Sequence, residues 1–273
     1  MVVMFSKGRF RLSVAAEKPL EVLPGVYLVR ADNSSAMSFS GTNTWVVFNR
    51  STYSCCIIDP AVSKQRHQSA IEQLCADQRI DPSVILLTHD HRDHAGGSNR
   101  LSKVWHIPCL GLRNGTLSQA TLDSFLGKGF IRIIPLPGHS SDSVGYYLTG
   151  LRALFTGDVL FSEGWSFVGS EDSSIADYLD TLDRIEAMLE KGFVKVVLPG
   201  HLDLMNSERA SIRIREYRQH RKDRLTKIKV LLERDGLVDS DAIVQKVYSD
   251  LPDERLRLFA KRSVEKQVKY LLS

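Results

Sequence analysis

The chain has 273 residues, 43% hydrophobic and 25% charged, with 36 Lys plus Arg against 32 Asp plus Glu and a formal net charge of +4. That composition is that of an ordinary soluble globular protein of one large domain, or one domain with a small appendix, and the basic excess is too slight to imply a nucleic-acid partner by itself. The four cysteines (Cys55, Cys56, Cys75, Cys109) form no C-x-x-C pair and exclude a small disulfide framework. They suit a reducing compartment: the cytoplasm, or the mitochondrial matrix in a eukaryotic cell. No apolar run approaches the roughly 18 residues of a membrane span.

In chain order, residues 9–14 alternate and predict a first strand, followed by apolar or β-branched strands at 26–29, 43–48 and 54–58. Pro24-Gly25, Ser40-Gly41-Thr42 and Asn49-Arg50-Ser51 break them. Asp59-Pro60 closes the fourth strand, and Asp59 reads as a turn-former more than as a support behind a metal site. Residues 63–78 have helical spacing, with Ser63 as N-cap and Ile71, Leu74 and Cys75 on the apolar stripe. A buried strand at 84–87, a short helix at 99–104 and a strand with its turn at 105–110 follow. The stretch 111–129 is polar and weakly patterned. Residues 130–136 predict a strand, 144–148 and 153–155 a hairpin about Thr149-Gly150, 173–189 an amphipathic helix, and 193–198 a last strand.

After Asp203 the composition changes. Arg209, Arg213, Arg215, Arg218, Arg221, Lys222, Arg224, Lys227 and Lys229 occur with only Glu216 and Asp223 between them. Ile212, Tyr217, Leu225, Ile228 and Leu232 supply an apolar face, predicting a long basic helix that Asp235-Gly236 ends. Helices at 240–249 and 253–272 complete a tail. The domain division is therefore 1–203 and 204–273.

The chemistry lies at strand ends. After the 84–87 strand comes Thr88-His89-Asp90-His91-Arg92-Asp93-His94-Ala95-Gly96-Gly97, with three histidines and two aspartates within six residues. His139 follows the next strand in Pro137-Gly138-His139-Ser140, Asp158 follows in Thr156-Gly157-Asp158, and His201 in Pro199-Gly200-His201. A lone His-x-His is more often a solvated turn. Four strand ends that each present a metal-ligand side chain are not, because converging strand-end loops are how layered α/β folds build sites. His67, His106 and His220 lack that context and read as surface or half-buried residues.

Two divalent ions account for the ligand count: His89, His91 and His139 on one, Asp93, His94 and His201 on the other, with Asp158 bridging. Asp93 and Asp158 are the catalytic candidates among them. Two ions about 3.5–4 Å apart lower the pKa of a shared water, so the bridging hydroxide is the nucleophile and no serine or cysteine is needed. The expected reaction is hydrolysis of an ester, thioester, amide or phosphodiester. Imidazole and carboxylate ligands without thiolate favour zinc, two per chain, with manganese or iron as alternatives.

Taken in order, Thr-His-x-His-x-Asp-His, Pro-Gly-His-Ser, Thr-Gly-Asp and Pro-Gly-His resemble the metallo-β-lactamase superfamily over residues 20–203. The resemblance implies an α/β fold, a four-layer αββα sandwich with the site at one edge, and supports the metal roles of His89, His91, Asp93, His94, His139, Asp158 and His201. The tail around Tyr217-Arg218-Gln219-His220-Arg221 and Val247-Tyr248-Ser249-Asp250-Leu251-Pro252 resembles the winged-helix-like tail of the lactamase-β-like hydrolases, as does Gly41-Thr42-Asn43-Thr44. Animal mitochondrial members of that group are endoribonucleases acting on single-stranded RNA, which would give the basic helix a phosphate backbone to follow. The other reading of that helix is a solvated face packed by its apolar side, and the sparse aromatics (Tyr217, Tyr248, Phe259, Tyr270) are thin for stacking bases.

Departures narrow the family. Secreted β-lactamases of this fold lack the bridging aspartate, whereas Asp158 is present and no signal peptide is visible. Flavodiiron proteins carry Glu where His91 stands. A glyoxalase II-like thioesterase would bring basic glutathione-binding residues that the tail does not clearly match. A mononuclear-iron persulfide dioxygenase would bind through His89, His139 and Asp158. The expected partner is a small-molecule ester or thioester, or single-stranded RNA, with no membrane and with a homodimer compatible. Residues 35–42, 160–170 and the tail are the expected pocket walls.

Overall fold

The computed structural model describes residues 16–62, 64–248 and 254–273; the strand expected at 9–14, the Ser63 cap and the break at Pro252 lie outside the described residues. Strands β1 (Leu20–Leu23), β2 (Val26–Arg30), β3 (Asn43–Asn49) and β4 (Ser54–Ile58) form an antiparallel meander. Helix α1 (Gln65–Gln78) then crosses over to β5 (Val84–Leu86), parallel to β4. The short α2 (Arg92–Ala95) and α3 (Ser98–Trp105) lead to β6 (Cys109–Leu110), parallel to β5. These six strands make one sheet in the order β1-β2-β3-β4-β5-β6.

The second half repeats the plan. After α4 (Gln119–Leu126), strands β7 (Ile131–Pro135), β8 (Val144–Leu148) and β9 (Ala153–Gly157) run antiparallel. Helix α5 (Ile175–Glu190) crosses over to β10 (Val196–Pro199), parallel to β9, and β11 (Met205–Asn206) closes the edge. The second sheet is ordered β11-β10-β9-β8-β7. The tail consists of α6 (Ser207–Asp235), α7 (Ser240–Val247) and α8 (Glu254–Leu272).

The layering follows from the strand period. All seven residues of β3 are buried, so both faces of the strand are covered. Trp45 and Val47 point between the sheets, where the Trp45 ring meets Phe155 at 5.7 Å. Val46 and Phe48 point the other way, onto Ile71, Leu74 and Cys75 of α1. On the far side, Tyr178, Leu182 and Ile185 of α5 and Ala210, Ile214 and Tyr217 of α6 cover the second sheet. This is the αββα sandwich. The end of α6 with α7 and α8 builds a smaller core of its own from Ile228, Ile243, Val244, Ala260 and Val264.

Local chemistry sets the helix starts. The Ser174 side chain accepts from Asp177 N at 3.2 Å before α5, and Asn206 Oδ1 accepts from Arg209 N at 2.8 Å before α6. Four elements differ from expectation. The 105–110 strand shrinks to Cys109–Leu110, because α3 runs through Trp105 and turns out at His106, whose φ is 54°. The unpatterned 111–129 stretch contains α4, capped by Ser118 on Thr121 N (3.1 Å) and held by Leu122 and Leu126 in the core with Phe125 packed against it. The short edge strands β1 and β11 also go beyond the predicted set. Among the described residues, no helix is long and apolar enough to cross a membrane.

The sheets are stitched at one end. Asn43, first residue of β3, donates its backbone N–H to Gly200 O at 2.7 Å, and its side-chain amide to Pro199 O (3.0 Å) and Leu202 O (2.8 Å). The strand ends carrying histidines converge there.

Candidate metal centre

The seven predicted residues come together in two groups. His89, His91 and His139 form one; Asp93, His94, Asp158 and His201 form the other, and within each group the ligand atoms lie within 4.8 Å of one another. Asp158 sits between them, with Oδ1 3.1 Å from His94 Nε2 and Oδ2 3.4 Å from His201 Nε2 and 3.9 Å from His139 Nε2. Asp90, the other acid of the motif, faces away: its backbone N–H donates to Asp142 Oδ2 (3.0 Å) and its carboxylate lies 3.6 Å from Arg113.

The outward nitrogen of each buried ring is spoken for. Thr88 donates its hydroxyl to Asp59 Oδ2 (2.6 Å), so its oxygen accepts from His89 Nδ1–H at 3.0 Å. His94 Nδ1–H donates to Asp59 Oδ2 at 2.9 Å, His139 Nδ1–H to Phe167 O at 2.8 Å, and His201 Nδ1–H to Gly41 O at 3.2 Å. These bonds fix one tautomer in all four rings and turn Nε2, the lone-pair nitrogen, toward the centre. His91, half-buried, presents Nδ1 instead, 3.0 Å from His139 Nε2. Asp59 is thus more than the turn-former expected. It takes the left-handed conformation (φ 51°), is 1% exposed, and its carboxylate orients His89, through Thr88, and His94.

The carboxylates divide the histidines electrically. Burial, with the neighbouring imidazoles, holds His89 well below the ordinary histidine range, and burial takes His139 down to about 4. Burial also opposes charge on His94 and His201, yet Asp158, with Asp93 beside it, wins: His94 is held well above the ordinary range and His201 at about 9. Burial likewise works against the Asp158 carboxylate, but His201 and His94 hold its pKa well down.

Divalent cations fit this donor set. Among the described residues, His89 Nε2 is buried without a hydrogen-bond partner, an arrangement that is costly unless something accepts its lone pair, and the buried Asp158 Oδ1 faces only the imidazole of His94. His94 Nε2 and His201 Nε2 stand 3.3 Å apart, too close for both to carry the proton that the carboxylates favour. A cation satisfies all of these atoms together, and imidazole with carboxylate is a donor set suited to zinc, manganese or iron.

The cluster floors a cavity of about 360 Å³. His91, Asp93, His139 and Asp158 face it from below; Phe39, Phe161, Trp165 and Phe167 form one wall, and Tyr248 and Phe259 of the tail the other, with Arg224 and His220 at the rim. The walls come from the expected segments. His220 stacks on Trp165 at 4.0 Å, and so belongs to the cavity rim. His67 is not at the surface but fully buried, against Thr44 Oγ1 at 2.9 Å. His106 only ends α3.

The basic helix is largely turned inward. Arg209, Arg213 and Arg221 bond backbone carbonyls of the 161–166 loop, Arg224 bonds Val247 O, and Arg218 pairs with Asp183 and Glu186. Arg215, Lys222, Lys227 and Lys229 stay exposed.

Comparison with known proteins agrees with this geometry. The model of the metallo-beta-lactamase superfamily matches residues 38–110 and 111–201. An atrochrysone carboxyl ACP thioesterase of Aspergillus fumigatus is 28% identical over 74% of this chain, which spans 63% of that protein's length. A probable polyketide biosynthesis zinc-dependent hydrolase of Bacillus velezensis is 30% identical over 58% of this chain and 71% of its own. The crystal structure of a metallo-beta-lactamase family protein from Thermus thermophilus superposes with a TM-score of 0.72 at 20% identity, covering 92% of this chain and 94% of that one. With its two-sheet sandwich and a His/Asp cluster at the stitched end, the chain belongs to the metallo-beta-lactamase superfamily, as a hydrolase of that fold.

Proposed function

We propose that this chain is a dinuclear zinc hydrolase cleaving thioesters or esters of small apolar acyl groups. The observation that carries the reading is the position of residues from both ligand groups at an open, aromatic-lined cavity. There, His89, His91 and His139 would hold one ion and Asp93, His94 and His201 the other, with Asp158, placed between the groups, available to both. Ions bound there would supply Lewis acidity and lower the pKa of water.

The chain's own residues do the rest. Asp59, Phe167 O and Gly41 O keep the Nδ1 protons of His94, His139 and His201 pointing outward, so each Nε2 faces inward with a lone pair. Phe39, Phe161, Phe167 and Phe259 give an acyl chain an apolar lodging and displace water from around the scissile carbonyl. Asp93, with its side chain 31% exposed, is the carboxylate most open to the cavity and the candidate to hold a proton for the leaving group on a carboxylate oxygen.

A thioester fits better than a polynucleotide. A cleft lined by Phe39, Phe161, Phe167 and Phe259 suits an acyl chain, and five of the helix's arginines are engaged in contacts within the chain rather than aligned on a surface track. The Aspergillus relative's name, a thioesterase, supports the same choice, and the Bacillus relative's name supports zinc. The test is metal content by elemental analysis together with turnover of an acyl-thioester panel and of single-stranded RNA. Two zinc per chain and thioester turnover lost in Asp158→Ala are expected. One iron per chain would point to the mononuclear oxidoreductase alternative, and cleavage of RNA alone would overturn the acyl reading.

A further inference from the structure

The loop between β9 and α5 carries the cavity wall but has no ladder to satisfy its backbone. Residues 161–166 belong to no strand or helix, and Phe161 and Ser166 are buried, so their polar groups need partners from elsewhere. Helix α6 supplies them. Arg209, Arg213, Tyr217 and Arg221 recur every four residues, which places them on one face of the helix.

The resulting contacts run the length of the loop. Arg209 Nη2 donates to Ser162 O (3.0 Å) and Arg213 Nε to Phe161 O (3.0 Å), and Arg213 Nη2 also donates to Gly164 O. The Tyr217 hydroxyl accepts from Phe161 N (3.2 Å) and Ser166 N (3.1 Å). Arg221 Nη2 donates to Ser166 O at 2.5 Å. Arg213 and Arg221 are each only 5% exposed and Tyr217 is fully buried, so water does not compete for these bonds.

At its Ser166 end, which Tyr217 and Arg221 both hold, the loop touches the cluster. Ser166 Oγ donates to Asp158 O at 2.5 Å, and the next carbonyl, Phe167 O, takes the Nδ1 proton of His139. We propose that α6 is a positioning element of the metal centre: Tyr217 and Arg221 set Ser166 and Phe167, and through them the orientation of Asp158 and His139. This rests on the reading of that cluster as metal ligands. It makes the first half of the tail part of the catalytic unit, not a separate module.

The test is zinc affinity by competition with a chromogenic chelator, paired with thermal unfolding of the zinc-free protein. Partners directly behind a metal ligand commonly carry about 10–100-fold in affinity; these residues act one contact further out, so the low end is expected. Tyr217→Phe keeps the ring and removes the hydroxyl, and should weaken zinc binding about tenfold. Arg221→Met should do the same, with Arg221→Lys recovering part of the loss, since an ammonium can still donate to Ser166 O. The exposed Arg215→Ala is the control. Unchanged zinc affinity in Tyr217→Phe and Arg221→Lys, with only the unfolding temperature lowered, would show a merely structural role and overturn the proposal. Should Arg221→Met fail to fold, those two variants decide. A wild-type chain that binds no zinc, manganese or iron would overturn the metal reading itself, and this proposal with it.

Discussion

Gly200 gives the sharpest test of the centre's geometry. It precedes His201 and packs against the cluster from behind. A Cβ at this position would stand 2.5 Å from Asp158 Oδ1, 2.7 Å from His94 Cε1 and 3.1 Å from the carbonyl carbon of Gly157. Carbon atoms rest at about 3.5–4.0 Å, so the His94 contact alone demands a displacement of about 1 Å. The atoms that must yield are two of the proposed ligands, hemmed in by Asp59 behind His94 and Ser166 behind Asp158. A misplacement of about 1 Å in a catalytic constellation costs about 100-fold, or about 2.7 kcal/mol of barrier. Gly200→Ala should therefore lower kcat/KM on the best thioester by about 100-fold. The glycine's φ lies outside the left-handed region, so no backbone strain contributes. The assay is steady-state turnover with zinc content measured on the same preparation. A variant holding its full zinc and turning over within about threefold of wild type would refute the close packing behind Asp158.

Three further outcomes follow from the same contacts. Asp59→Asn sets an amide NH2 against a donor in either flip, the Thr88 N–H or the Thr88 hydroxyl with His94 Nδ1–H, and removes the charge that holds His94, so it should cost about 1–3 kcal/mol in stability and about 10–100-fold in zinc affinity; denaturant unfolding and chelator competition measure both, and unchanged affinity would sink the orienting role. His67 is buried and burial pushes its pKa down to about 4 from 6.5, so between those values the unfolded chain binds a proton that the folded chain does not. Stability should fall as pH drops through that window, by up to about 3 kcal/mol, and His67→Gln should lack that share of the loss; equal losses of unfolding free energy between pH 7.5 and 5.0 in wild type and His67→Gln, read by urea unfolding, would contradict it. Zinc at about a thousandfold above its Kd stabilises the folded state by about 4 kcal/mol, so a chelator should lower the melting temperature by about 10 °C. A melting curve indifferent to chelation would speak against a bound ion in the folded state.

Much of the site was legible because its residues announce themselves by context. An apolar run followed at once by His, Asp or Gly-His marks a strand end, and four such ends gave the residues that the fold brings together. The cavity walls at 35–42, 160–170 and the tail were also anticipated. Other features depend on partners distant in sequence. An Asp before Pro60 looks the same whether it merely turns the chain or also accepts from Thr88 and His94. The hydrogen bond of the buried His67, on α1, goes to Thr44, which lies on β3. The four-residue recurrence of Arg209, Arg213, Tyr217 and Arg221 was visible, but the stretch was read through its charge. The carbonyls of 161–166, which those side chains serve, leave no mark in a sequence. α4 escaped notice because two leucines and Phe125 suffice to anchor it in an otherwise polar segment.

The stitching of the two sheets at Asn43 has a consequence for how the protein is made. Asn43 bonds to Pro199 O across 156 residues, and His94 meets His201 across 107. At a synthesis rate of about 5–20 residues per second, the ribosome delivers His201 about 5–20 s after His94. Once β6 has followed, early in that interval, the strands of the first sheet are all made but uncovered, with Trp45, Val47 and Ile58 facing solvent where the second sheet will lie. The nascent chain thus displays a wide apolar face beside an already assembled His89–His94 chelating motif, and both invite capture, by a chaperone or by a stray metal ion, before the second sheet arrives to close over them.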